Sequence, residues 1–303
     1  MNIDGQENSG QANGITPGAN SAAVPKRNPV LAPFLMLLNG FSLYAGAALA
    51  IGLFDQFSPT VVAWMRMTAA AVILLVLYRP AVRNFLGTVG FHAAVYGIAT
   101  LAMNITFYEA IARIPMGTTV AIEFIGPIAV AALGSRTLRD WAALLLAGIG
   151  VVIISGVQWA SSSVGVMFAL AAALMWAIYI FAGNRIAGDA NSSKTGMAVG
   201  FTWAAIVSLP LAFFWWPGMD STHLTGIQVI GMALGLGVLS AIIPYSLDQI
   251  VLRMAGRSYF AILLACLPIS AAIMGAIALG QMLSVAEIIG IIFVVIAVAL
   301  RRP

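Results

Sequence analysis

The chain has 303 residues, of which 61% are apolar and only 8% charged, with a mean hydropathy of +1.01 and a formal net charge of +4. Soluble domains carry about 25% charged residues, so these side chains cannot coat an aqueous surface, and the sequence is that of an all-α integral membrane protein. A single cysteine, Cys266, excludes an intramolecular disulfide framework; with two histidines it leaves too few ligands for a structural zinc site, so no metal or cofactor is expected and no nucleic-acid role is implied.

Residues 1–30 are rich in Gly, Asn, Ser, Ala and Pro, with Lys26 and Arg27 as the basic groups. Such a segment lacks the apolar content to fold alone, and the run after it is too long for a signal-peptide core. It reads as a disordered cytoplasmic tail with nothing cleaved.

Ten apolar runs follow: 33–54, 59–78, 88–108, 115–134, 141–157, 164–183, 197–215, 227–247, 260–279 and 284–300. Each is about 17 to 22 residues, the length a helix needs to cross roughly 30 Å of hydrocarbon at 1.5 Å per residue. Backbone groups in lipid must bond within their own segment, so the spans are helices.

With the tail inside, every basic residue except Arg66 and Arg113 falls on the cytoplasmic side. That is a strong positive-inside bias, and it puts both termini in the cytoplasm of a multi-pass cell-membrane protein. The outer connections, such as 55–58 and 158–163, are too short to hold a domain, so recognition and chemistry must take place among the helices.

Segment 113–134 can be laid on 253–275 with one gap, matching Arg113 to Arg253, Pro127 to Pro268 and Gly134 to Gly275. Ten spans divide into two five-helix halves, 31–157 and 158–303, and an odd number per half makes the second copy insert upside down. Inverted repeats with a substrate site near the midplane are a recurrent architecture of secondary transporters that work by alternating access.

Pro127, Pro210, Pro244 and Pro268 interrupt spans, and Gly126 adjoins the first of them. A proline within a helix frees a carbonyl upstream and kinks the axis, so Gly126, Pro127, Pro244 and Pro268 are hinge candidates, against the plainer reading of kinked packing. Gly148, Gly150, Gly231, Gly235 and Gly237 read as close-packing positions.

Glu123 lies near the middle of run 115–134, where an ionised group costs about 2.5 kcal/mol or more unless paired, hydrated or protonated. Arg66 lies in run 59–78, and counting from the outer ends gives depths of about 10 Å for Arg66 and 12 Å for Glu123. The two are the natural ion pair; either the pair is structural, or Glu123 alternates between a proton and substrate or Arg66. The second half offers no carboxylate in the corresponding span, which makes Glu123 the only acid expected well inside the membrane.

Asn39, Asn104 and Gln249, with Trp176, Tyr179 and Tyr245, supply amides and aromatic groups for a substrate path, since these bind zwitterions without the cost of a full buried charge. Trp215 and Trp216 suit interfacial anchors. Asp248, Glu109 and His92 fall near span ends, within reach of water.

Three strings carry a family resemblance: NITFYEAIARIPMGTTVAIEFIGPIAVA from Asn104, MWAIYIFAGNR from Met175 and LSAIIPYSLDQIVL from Leu239. With the ten spans, the chain from 33 to 300 resembles the drug/metabolite transporter superfamily, its EamA-type exporters, and most nearly the bacterial threonine and homoserine exporters. The resemblance implies export of small neutral amino acids or related metabolites from the cytoplasm, driven by protons. Glu123, Gly126 and Pro127 match the acidic fourth-span motif, and Pro244, Tyr245, Ser246 and Asp248 the eighth-span string, with Asp where Glu is more familiar. The ninth span departs from it: Leu267 precedes Pro268 where many such exporters have Glu, and Gln281 stands for another Glu. Other cargo of the same superfamily, including drugs, stays open.

An intramembrane enzyme would need a nucleophile with a base, or a metal cluster, at depth, and the sequence offers neither. A membrane sensor or scaffold is the rival from another class, with only the tail to signal through. The expected partners are a small-molecule substrate, protons and the lipid bilayer; a homodimer is left open.

Overall fold

The computed structural model describes residues 31–134, 137–186, 190–217, 223–244, 246–247, 250–251, 254, 263–264 and 266–300, and no strand occurs among them. The tail, Tyr245, Asp248, Gln249, Arg253 and residues 255–262 lie outside the described residues. Their predicted roles therefore receive no structural account.

Helix α1 (Leu31–Leu53) is followed by α2 (Pro59–Tyr78), whose start is fixed by Ser58 accepting from the Val61 amide and by Pro59 in the first turn. Arg79 ends α2 in the left-handed region, at φ 43°, directly before Pro80. A short 3-10 turn at Val82–Phe85 leads to α3 (Gly87–Ile111). Helices α4 (Met116–Glu123) and α5 (Ile125–Gly134) are one run interrupted at Phe124. The interruption falls where Pro127 has no N–H to give the Glu123 carbonyl four residues back.

Helix α6 (Leu138–Ile186) has 49 residues, about 74 Å if straight, far more than one crossing needs. It breaks at Ser162 (φ −157°, ψ 85°), and the Ser162 hydroxyl then accepts from the Gly165 amide and caps the second section. Helices α7 (Ala190–Val207) and α8 (Leu209–Phe214) meet at Ser208, two residues before Pro210. Helix α9 (Gly226–Gly237) starts in a Thr225/Gln228 capping box and passes into a π turn at Val238–Ile242. Helices α10 (Cys266–Leu279) and α11 (Val285–Leu300) complete the described fold.

Helices α1, α2, α3 and the section Gln158–Gly183 are each long and apolar enough to cross a membrane, and Met116–Val130, Trp141–Ile154, Gly226–Ile242, Cys266–Leu279 and Val285–Leu300 are shorter apolar helices. The outer surface is apolar as well, with Phe34, Val76, Leu145, Val152, Phe181, Phe213 and Ile277 exposed on widely separated helices. That is the surface of a protein solvated by lipid. Tyr108, Phe124, Met36, Met116 and Ile122 fill the interior where α1 to α4 meet.

Small residues set the tightest crossings. A Cβ on Gly97 would strike the Gly200 backbone, one on Gly200 would strike the Ala93 carbonyl, and so α3 and α7 touch backbone to backbone. Gly150 meets the Gly290 carbonyl on α11, and Gly237 meets Ala69 and Ala70, as expected of packing positions, whereas Gly148 and Gly231 face open space. Gly97→Leu is expected to cost about 3 kcal/mol or more, because backbone cannot step aside as a side chain does. Thermal unfolding of the purified variant in detergent checks this; a midpoint equal to wild type would refute it.

Candidate functional site

The charged groups at depth converge where α1, α2, α3 and α4 meet. Glu123 is buried at the end of α4, and no hydrogen bond or ion pair within 4.0 Å reaches its carboxylate among the described residues. Arg66 and Tyr44 lie within electrostatic reach of it. The expected contact pair of Arg66 with Glu123 is therefore not made, although both share one cluster.

Arg66 is engaged elsewhere. Its Nη2 donates to the Ser240 carbonyl at 2.8 Å, its Nη1 reaches the Tyr108 hydroxyl at 3.5 Å, and its Cζ lies 5.7 Å from the centre of the Tyr108 ring. The Ser240 carbonyl is accessible for a reason written in the sequence: in α-helical register its donor would be the N–H of residue 244, which is Pro244. One residue earlier, the Ile243 amide bonds back to Val238 in π register, and the Leu239 carbonyl takes the Ser42 hydroxyl at 2.8 Å. Side chains of α1 and α2 thus hold the unwound turn of α9.

Arg66, Met67 and Ala70 of α2, Thr100 and Asn104 of α3, Phe201 of α7 and Ala241 of the π turn line a small pocket. Thr100 donates to the Tyr96 carbonyl and Asn104 Nδ2 to the Thr100 carbonyl, which leaves oxygen lone pairs on both side chains as acceptors. Of the predicted path residues among the described residues, Asn104 alone lines this pocket. Trp176 packs edge-on against Phe124, with centroids 4.9 Å apart, beside Glu123. Tyr179 shares a 3.2 Å hydroxyl contact with Tyr96, which stacks on Phe201. Asn39 is buried on α1, where its Nδ2 reaches the Met36 sulfur at 3.8 Å, and it is not among the residues that line the pocket.

The hinge candidates take three distinct forms. Pro127 sits just past the Phe124 interruption, and Gly126 abuts the Ala173 carbonyl of α6. Pro244 follows the π turn, and Pro268 lies in the first turn of α10, where the Leu264 carbonyl accepts from Leu267 instead.

A second buried carboxylate was not anticipated. Glu287, in the first turn of α11, is 3% exposed; its Oε1 accepts from Thr118 of α4 at 2.8 Å and from Gln158 of α6 at 2.6 Å. Its Oε2 accepts from the Ser284 amide and hydroxyl, each at 2.8 Å, closing a capping box. Nearby, Gln281 accepts from the Met116 amide at 3.0 Å. The Ser-x-x-Glu spelling at 284–287 is a legible signal for the cap; the two cross-helix donors are not legible in sequence. Glu109, near its span end, pairs with Arg113 at 2.6 Å and accepts from Thr60.

Comparison with known proteins accords with this architecture. The EamA-like transporter family pattern matches residues 163–301, beginning one residue past the break in α6. The threonine/homoserine exporter RhtA of Salmonella typhimurium (strain LT2) is 32% identical over 276 residues, 90% of this chain and 92% of that protein. The same-named protein of Escherichia coli (strain K12) is 32% identical over 270 residues, 88% of this chain and 90% of its own. A crystal structure of a further protein shares the fold, with a TM-score of 0.57 at 19% identity, covering 91% of this chain and 96% of that one. The chain belongs to the EamA-like transporters of the drug/metabolite transporter superfamily, in company with the threonine/homoserine exporters.

Proposed function

We propose that the protein exports small neutral amino acids of the threonine or homoserine kind across a bacterial inner membrane, in exchange for protons. The observation that carries this reading is the likeness to threonine/homoserine exporters over 90% of the chain, which spans both halves. Counting α4 with α5, α7 with α8 and α9 with its π turn as single crossings, and α6 as two, is compatible with ten spans, which in this reading form two inverted halves with both termini cytoplasmic. Glu123, buried beside Tyr44 and Arg66, is the proton carrier in this reading, and the pocket at Arg66 and Asn104 is the substrate site. Rocking of one half on the other about the interruptions at Phe124 and Pro244 opens the pocket to each side in turn.

Transport into inverted membrane vesicles with an acidified lumen tests the proposal. Labelled threonine or homoserine should accumulate, and collapse of the pH gradient with an ionophore should remove the accumulation. Absence of gradient-dependent uptake across a broad panel of amino acids would overturn it and favour a non-transporting role.

A further inference from the structure

The guanidinium of the half-buried Arg66 donates to a backbone carbonyl, although an arginine drawn into the protein is best matched to a carboxylate. That carbonyl, Ser240, is orphaned in α register by Pro244, and the π turn around it is the kind of local unwinding that marks functional positions in helices. Of the five N–H groups of Arg66, two have partners among the described residues, one of them at the 3.5 Å limit of a hydrogen bond. The side chain also lines a pocket in which, among the described residues, the other polar groups are the acceptors Thr100 Oγ1 and Asn104 Oδ1 and the remaining walls are Met67, Ala70, Phe201 and Ala241.

We propose that Arg66 is the carboxylate-binding residue of this pocket, and that the Ser240 carbonyl is a resident stand-in which the carboxylate of the substrate displaces. As it stands the pocket has a volume of only about 10 Å³, room for one water at most, so a small zwitterion enters only as Arg66 leaves the Ser240 carbonyl and the π turn moves away. The carboxylate then goes to Arg66, the ammonium to Thr100 and Asn104, and a short side chain to the apolar walls. Displacement frees the π turn of α9 from α2. Occupancy of the pocket is thereby coupled to the backbone at Pro244, which lies in the other half of the chain. This inference rests on the transport reading above for the zwitterion, and on the local geometry alone for the carboxylate.

The test compares acids with their neutral amides as ligands of the purified, detergent-solubilised protein, read by thermal stabilisation. The probes are L-threonine against L-threonine amide, and lactate against lactamide. Wild type should bind threonine at least about tenfold more tightly than its amide, as a charge-assisted bidentate contact requires. Arg66→Gln should abolish that ratio, and Arg66→Lys should reduce it while keeping its direction. Equal binding of acid and amide by wild type, or an unchanged ratio in folded Arg66→Gln, would overturn the assignment.

Pro244→Ala gives a second arm that does not touch the arginine. It supplies an N–H to the Ser240 carbonyl, so the competitor for Arg66 weakens, and threonine should bind about two- to tenfold more tightly. Unchanged affinity would count against displacement. If lactate discriminates from lactamide while no amino acid binds, the carboxylate subsite stands and the amino-acid reading falls.

Discussion

Glu123→Gln should remove gradient-driven accumulation from inverted vesicles by more than about tenfold while leaving the protein folded in the membrane, as expected when an essential proton carrier is lost. Glutamine copies the shape and hydrogen-bonding of a protonated carboxyl group but cannot release a proton. Because the Glu123 carboxylate has no hydrogen-bond or ion-pair partner among the described residues, the substitution strips no neighbour of its contact. Its stability cost should therefore be small, and burial of a neutral amide is cheaper than burial of an ionised acid. Exchange of labelled for unlabelled substrate, which requires no net proton movement, should persist in the variant. Accumulation at wild-type rates would dismiss Glu123 as the carrier, and loss of the folded protein would make it a structural group instead.

Glu287→Ala carries the largest expected stability effect. The carboxylate serves donors on α4 and α6 and caps its own helix, so removal leaves Thr118, Gln158 and the Ser284 amide without an acceptor at once. Buried donors left unpaired cost about 1–3 kcal/mol each, and a lost cap adds about 1 kcal/mol, so a total near 3 kcal/mol or more is expected after partial repair by water. Thr118→Val removes one of these donors together with its hydrogen bond and should cost only about 1 kcal/mol. Thermal unfolding of the three proteins side by side gives the order; an alanine variant as stable as wild type would mean that the network contributes nothing.

Helix type and approximate span positions were legible because lipid imposes one backbone solution and a narrow length. The breaks were legible in part. Pro127 and Pro210 announced the interruptions at Phe124 and Ser208, but run 141–157 was expected to end where α6 continues to Ser162. Arg66 and Glu123, placed at similar depth by counting along their helices, lie within electrostatic reach of one another without making the expected contact. Depth says nothing about rotation, however, or about which carbonyl a distant proline leaves open. The Arg66 partner is set by Pro244, in a segment 174 residues beyond it at Ser240, and no local pattern joins the two. Asn39 and Asn104 look alike in sequence, yet only the second lies among the described residues that line the pocket. Glu287 was overlooked because acids at span ends usually reach water, whereas this one turns inward to waiting donors.

The Glu287 network also imposes an order on biogenesis. Thr118 lies 169 residues and Gln158 129 residues ahead of the carboxylate that accepts from them. At about 5–20 residues per second, the ribosome delivers that acceptor many seconds after both donors have entered the bilayer. During that interval Thr118 and Gln158 have only each other's helices and water to turn to, without the carboxylate that later joins them. Closure of this network is then a late, chain-terminal event, and a nascent chain arrested before residue 287 should lack these two cross-helix hydrogen bonds however completely its earlier helices have inserted.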